Sequence, residues 1–230
     1  MIKLRELTVV YPDKTKAVDN VSLTLSEDES IALIGENGAG KSSLLLAIVG
    51  ILEAESGTIE AGGIRLTKKT VTEIRRQIGL VFQNPDDQLF MPLIYDDIAF
   101  GCRNFGLPED EINKRVDEIL NRLNISRLRG RSSLKLSAGE KRIAAIAAVL
   151  AMNPSALMFD EPTAFLDPKA RRALVEALNK LHQPKIIATH DMEFAADVCN
   201  RVVVLKNGRI MADGALPLLN DKNFLQDCGL

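Results

Sequence analysis

The sequence predicts an α/β fold with a mainly parallel core sheet, an N-terminal antiparallel β subdomain and an inserted α-helical subdomain. Three observations predict it. The short apolar runs Ser30–Ile34, Ala156–Phe159, Lys185–Thr189 and Val202–Leu205 read as buried strands. Helical patterns stand between such runs, and buried strands alternating with amphipathic helices argue for a parallel sheet. The stretch 84–153 breaks this alternation and reads as mostly helical.

Taken in order, residues 1–30 have β character, with Ile2-Leu4 and Val21-Leu23-Leu25 alternating around a turn at Pro12-Asp13. The run Ser30–Ile34 feeds the glycine-rich segment Gly35–Ser42, and Ser43–Val49 then reads as a buried helix ended by Gly50. Gly57-Thr58-Ile59 and Ile78–Phe82 are strand-like on either side of a polar connection. Pro108-Glu109-Asp110 opens a helix, acidic in its first turn, with Ile112, Val116, Ile119, Leu120 and Leu123 on one face. Asp167-Pro168 opens another, with the stripe Ala170, Ala173, Leu174, Ala177, Leu178 and Leu181. Asn207-Gly208 is a hairpin turn. The predicted division is a single domain: a core with its β subdomain over 1–83 and 154–214, a helical subdomain over 84–153, and a short tail over 215–230.

Composition narrows the classes. A net charge of −2 gives no global electrostatic case for nucleic-acid binding. Cys102, Cys199 and Cys228 lie far apart, with only two histidines in the chain, so neither a structural zinc nor a disulfide framework is suggested. That usage suits a reducing, cytosolic compartment. No stretch approaches the ~18 apolar residues of a membrane helix. The longest apolar run, Ile143–Met152, is alanine-rich and suits a buried soluble helix, and Met1–Leu7 alternates like a strand rather than a signal peptide. Work at a membrane would therefore need partner subunits.

The most informative segment is Gly35-Glu36-Asn37-Gly38-Ala39-Gly40-Lys41-Ser42. It matches G-x-x-x-x-G-K-[ST], a loop whose backbone N–H groups wrap the phosphates of ATP or GTP. The helix N-terminus adds a partial positive charge. Lys41 is expected to reach the β- and γ-phosphates and the Ser42 hydroxyl to ligate Mg²⁺. Ala156–Phe159 ends in Asp160 and Glu161. After a phosphate loop, Asp160 can hold the same Mg²⁺ and Glu161 can act as general base toward water. His190 ends a further apolar strand, so the same sheet edge would deliver it near Glu161. Gln83, leaving the strand Ile78–Phe82, could ligate Mg²⁺ or water through its amide, or be an ordinary polar residue leaving a sheet. Ser137 and Glu140 form a capping box at the start of a long apolar helix, an end that could also contact a second phosphate-bearing surface.

With these residues in order, the chain resembles the nucleotide-binding subunit of an ATP-binding cassette (ABC) transporter, over residues 2–214. Gly35–Ser42 is similar to the Walker A motif, Met158–Glu161 to Walker B with its catalytic glutamate, and Gln83 to the Q-loop glutamine. Leu136–Glu140 resembles the LSGGQ signature, Ala164–Asp167 the D-loop, and His190 the switch histidine. The resemblance implies that Tyr11 stacks on adenine. It also implies a nucleotide-binding set of the loop residues with Ser43, completed across a head-to-tail dimer by Ser137, Gly139 and Asp167. A narrower resemblance, carried by Phe82–Phe90, Tyr95–Gly101 and Gly106-Leu107-Pro108, is to the energy-coupling factor and cobalt/nickel importers.

That narrower resemblance implies a transmembrane coupling subunit, a substrate-binding membrane protein, and a second ATPase chain, identical or related. It places this chain at the cytoplasmic face of the membrane and the coupling contact near Asp86, Asp87 and Gln88. There are departures. Ala138 and Glu140 replace a glycine and the glutamine of the signature. Ile143 stands where many relatives carry arginine, with Arg142 beside it. Phe165 replaces a small D-loop residue. Two other readings stay open at this point: a soluble ABC ATPase that grips nucleic acid or ribosomes, and a P-loop kinase or GTPase.

Overall fold

The computed structural model describes residues 1–220 and Gln226. Cys228 and most of the predicted tail end lie outside the described residues. Among the described residues the strands form two sheets. The first has the order β2 (Lys16–Leu25), β1 (Ile2–Val10), β4 (Ser56–Ala61), β5 (Ile64–Arg65), and every pairing in it is antiparallel. Ile2, Leu4, Leu7 and Val9 of β1 are buried, and a bulge between Leu4 and Leu7 keeps those side chains on one face.

The second sheet has the order β10 (Arg209–Ala215), β9 (Arg201–Lys206), β3 (Ser30–Ile34), β8 (Lys185–Thr189), β7 (Ala156–Asp160), β6 (Ile78–Val81). β3 runs parallel to β8 and β9, and β7 parallel to β8. Every residue of β7 and β8 is buried, as expected for strands covered on both faces. β10 closes the edge antiparallel to β9, through Asn207 and Gly208 at φ 49° and 76°, the positive pair of a tight hairpin turn.

The helices are α1 (Lys41–Ile48), α2 (Val71–Gln77), α3 (Ile94–Asn104), α4 (Glu109–Arg122), α5 (Ala138–Ala151), α6 (Pro168–Asn179) and α7 (Met192–Val198). The predicted class, a mainly parallel core with an antiparallel β portion and an inserted helical portion, is the one observed. The connection read as merely polar contains α2, and α7 follows His190. Both are seven-residue helices, too short for periodicity to declare itself, and α2 buries only Ile74.

The chain folds as two compact units. The first comprises Met1–Leu80, Ser155–Glu161 and the described residues from His182 onward; the second comprises Val81–Pro154 and Pro162–Leu181. In the first unit α1 is apolar nearly all round. Its Leu44, Leu45, Ala47 and Ile48 join Ile31, Leu33, Met158, Ile186, Val203 and Leu205 in one core. In the second, α3 and α4 lie against α5, whose Ala144, Ala145 and Ala147 let helices approach closely. The sequence division placed 162–181 with the core, whereas α6 groups with the helices. The reason is local: small residues of α5 and α6 meet where Gly139 faces Ala170.

Candidate active site

The predicted site residues fall in both units. Tyr11, Gly35 to Ser43, Asp160, Glu161 and His190 belong to the first; Gln83, Ser137, Gly139 and Asp167 belong to the second. In the first unit, parallel strands β3, β7 and β8 end at the same edge of the sheet, and the chain leaving each one carries chemistry.

From β3 the chain enters the loop that opens α1. Gly40 caps that helix at φ 103°, and a Cβ there would stand 2.1 Å from the Ala17 carbonyl oxygen, so only glycine fits. No side chain caps the N-terminus of α1, and no acidic residue occupies its first turn. Its first amides, including those of Lys41, Ser42 and Ser43, are therefore left for an anion, with the helix dipole adding to the attraction. The Lys41 ammonium is buried and donates to the carbonyls of Gly35 (2.6 Å) and Glu36 (3.2 Å), which folds it back over the loop. Tyr11, just past β1, shares a hydrogen bond of 2.9 Å between its hydroxyl and Ser43 Oγ, which ties its ring to the start of α1. A glycine-built backbone cradle, uncapped amides and a buried cation form a donor set that fits a polyphosphate.

From β7 come Asp160 and Glu161. Asp160 pairs with Ala188 of β8 in the ladder and is buried. Glu161 donates its N–H to the Ala188 carbonyl at 2.8 Å and has φ 42°, a left-handed conformation that costs a non-glycine residue energy. The turn brings the Glu161 carboxylate back over the edge. Lys41 Nζ lies 3.4 Å from Oε1, and His190 Nδ1, at the end of β8, lies 2.9 Å from Oε2. Both oxygens are buried and neither receives a directed hydrogen bond, so proximity and charge hold this carboxylate. The His190 side chain is 63% exposed, and its contact is an ion pair only when the imidazole is protonated. The edge thus gathers a general-base candidate, a cation and an imidazole. No group of three or more His, Cys, Asp or Glu among the described residues could hold a metal ion unaided. Asp160 and Ser42 suit a magnesium ion that draws its other ligands from phosphate and water.

In the second unit Gln83 follows β6 on a loop held by α5. Arg142, 1% exposed, donates to the carbonyls of Phe82 (2.7 Å) and Gln83 (2.6 Å). Arg142, the neighbour of the Ile143 that departs from the family pattern, thus makes two hydrogen bonds to this loop. An arginine inside an alanine-rich apolar helix was the signal that could have found it. Ser137 caps α5, accepting from Glu140 N, while the Glu140 carboxylate accepts from Ser137 N: the expected capping box. The Ser137 N–H above all, with the Ser137 hydroxyl and Arg127, holds the Glu140 carboxyl below its ordinary pKa. Asp167 caps α6 through Lys169 N and Ala170 N. Ser137, Gly139 and Asp167 line one concavity. Phe165, two residues before Asp167, is 87% exposed at φ 63°.

The three expected coupling residues all have partners within their own unit. Asp86 pairs with Lys141 at 2.6 Å, Asp87 accepts from Asn84, and Gln88 donates to the Ala145 carbonyl. Asp97, which sequence reasoning missed, accepts from the N–H groups of Phe90 and Met91 at 2.9 Å. It thereby holds the turn that presents the exposed Phe90, whose ring meets Phe100 edge-on. Burial pushes the Asp97 carboxyl up in pKa, against those two hydrogen bonds.

Comparison with known proteins identifies the family and the fold. The sequence profile of the family described as "ABC transporter" matches residues 18–164. The energy-coupling factor transporter ATP-binding protein EcfA of Carboxydothermus hydrogenoformans is 41% identical over 100% of this chain and 86% of its own length. The structure of CbiO1 from Clostridium perfringens, described as part of the ABC transporter complex CbiONQ, superposes with a TM-score of 0.85. It is 39% identical, over 98% of this chain and 93% of that one. An ATP-binding cassette solved as a dimer in a post-hydrolysis state with ADP and Pi has a TM-score of 0.84 and 28% identity, over 94% of this chain and 99% of that one.

Proposed function

The chain belongs to the ABC transporter family, and from that premise we propose that ATP held at the loop before α1 is cleaved by water activated at Glu161. The protein is an ATP-binding and ATP-hydrolysing subunit that powers a membrane importer of the energy-coupling factor and cobalt–nickel type. The observation that carries the mechanism is the meeting of Lys41, Glu161 and His190 at one sheet edge.

Lys41 and the first amides of α1 bind the β- and γ-phosphates, and Tyr11 lies under the base. An incoming triphosphate that draws the Lys41 ammonium toward its phosphates loosens the Lys41–Glu161 pair and frees the carboxylate. Glu161 then takes the proton of the attacking water, while His190 orients the water and the γ-phosphate. Ser42 and Asp160, with Gln83 as the family resemblance implies, would hold Mg²⁺, and the ion would supply charge neutralisation at the phosphates. A second ATPase chain, identical or related, supplies its Ser137, Gly139 and Asp167 to the same nucleotide, so ATP closes the dimer and hydrolysis opens it. The dimeric ADP-and-Pi cassette supports this reading.

No described helix is long and apolar enough to cross a membrane. The chain works at the cytoplasmic face, on a transmembrane coupling subunit and a substrate-binding membrane protein. The coupling contact lies near Asp86, Asp87 and Gln88, where the exposed Phe90, Leu93 and Phe100 add apolar surface. No observation favours a nucleic-acid or kinase reading. The test is Glu161→Gln in the full chain: nucleotide binding persists and phosphate release falls by about a hundredfold or more. A variant that hydrolyses ATP at the wild-type rate overturns Glu161 as base.

A further inference from the structure

Among the fully buried side chains of the described residues Arg142 is the largest, and it is a cation. Burying a charge is costly, and an aliphatic side chain of similar length would pack in an apolar helix without that cost. Its two terminal nitrogens donate to two successive carbonyls, Phe82 O at 2.7 Å and Gln83 O at 2.6 Å. A planar guanidinium bonded twice fixes the orientation of both peptide groups, which a single flexible donor does not.

Two further links run between the same loop and the same helix. Gln88 accepts from Phe82 N at 3.3 Å and donates to Ala145 O at 2.8 Å, and Lys141 pairs with Asp86 at 2.6 Å. The loop 82–88 is therefore stitched to α5 on both sides of Gln83, and the Gln83 peptide is the one held by Arg142.

We propose that Arg142 is a positioning residue for Gln83: by gripping the carbonyls before and at this residue, it aims the Gln83 amide. This rests on the reading of Gln83 as a magnesium ligand. Arg142 touches neither metal nor substrate. It acts through the backbone that Gln83 hangs from, as outer partners orient the ligands of metal sites. The loop's aim is then set by the helix that also carries Ser137.

The test measures binding of a non-hydrolysable ATP analogue, AMP-PNP, to the full chain by calorimetry, with and without MgCl₂. Gln83→Ala, Arg142→Met, Arg142→Lys and the double variant Gln83→Ala/Arg142→Met are compared with the wild type. Magnesium should tighten wild-type binding, and Gln83→Ala should lose about tenfold of that gain. Arg142→Met should lose a comparable share, Arg142→Lys less, and the double variant no more than Gln83→Ala alone. Binding without magnesium should be unchanged throughout.

A cooperatively folded Arg142→Met that keeps the wild-type gain while Gln83→Ala loses it overturns the proposal. Equal weakening of metal-free binding by Arg142→Met does so too, because it marks a general packing role. If Gln83→Ala keeps the full gain, the reading of Gln83 itself fails and the proposal falls with it. Should Arg142→Met not fold, Arg142→Lys decides: wild-type gain in that variant also overturns the proposal.

Discussion

Lys41 Nζ lies 3.4 Å from Glu161 Oε1, with both side chains buried. The cation of the phosphate loop and the carboxylate that follows β7 are thus mutual partners, and a nucleotide bound through Lys41 would compete with Glu161 for the same ammonium. Glu161→Gln keeps the shape and removes the charge. It should bind ADP more tightly than the wild type in calorimetry, while turnover falls by about 10²–10⁴-fold. Weaker ADP binding would show that Glu161 helps to hold Lys41 in its binding position rather than competing for it.

Ser137 has two separable roles, cap and candidate phosphate contact. Ser137→Ala should cost about 1 kcal/mol in chemical denaturation, because the Glu140 N–H loses its acceptor. Ser137→Arg should in addition stop ATP-dependent dimerisation of the Glu161→Gln background on size-exclusion chromatography. ATP binding to the single chain should survive. A dimer that still forms with arginine there would remove Ser137 from the interface.

Gly139 is held by packing. A Cβ at this position would lie 2.8 Å from Ala170 Cβ, with the Ala170 Cα 3.9 Å away. Gly139→Ala should destabilise the fold by about 1–3 kcal/mol through this overpacking. Adding Ala170→Gly should restore a good part of the loss, less the cost of glycine in a helix. If the double variant is no more stable than Gly139→Ala in urea melts, the clash is not the cause.

Asp97 gives a pH signature. Its folded pKa stands above the ordinary value of 3.8 because burial disfavours the anion. The folded state therefore binds its proton more tightly than the unfolded chain. The resulting stabilisation is full below pH 3.8 and is lost as pH rises through the folded pKa. Asp97→Asn keeps an acceptor for Phe90 N and Met91 N without the charge. Relative to Asp97→Asn, the wild type should lose stability as pH is raised across that window. Thermal melts from pH 4 upward that run parallel for the two proteins would refute the assignment.

The contiguous segments were legible in the chain. Gly35–Ser42, the strands Ala156–Phe159 and Lys185–Thr189, the Ser137/Glu140 capping box and the Asn207-Gly208 turn each depend on neighbours within a few residues. For such elements local backbone preference and apolar periodicity suffice. The short helices α2 and α7 escaped because a single turn or two of period cannot be told from a polar loop.

Sequence alone determined the α/β class, the phosphate-loop chemistry and the residue types that a nucleotide site requires, because these follow from spacing along the chain. Only the tertiary structure decided that Lys41 and His190 converge on Glu161, that Gly139 must be small because of Ala170, and that Arg142 holds the Gln83 backbone. Those partners are far apart in sequence and meet only through strand order and helix packing, so no local pattern encodes them.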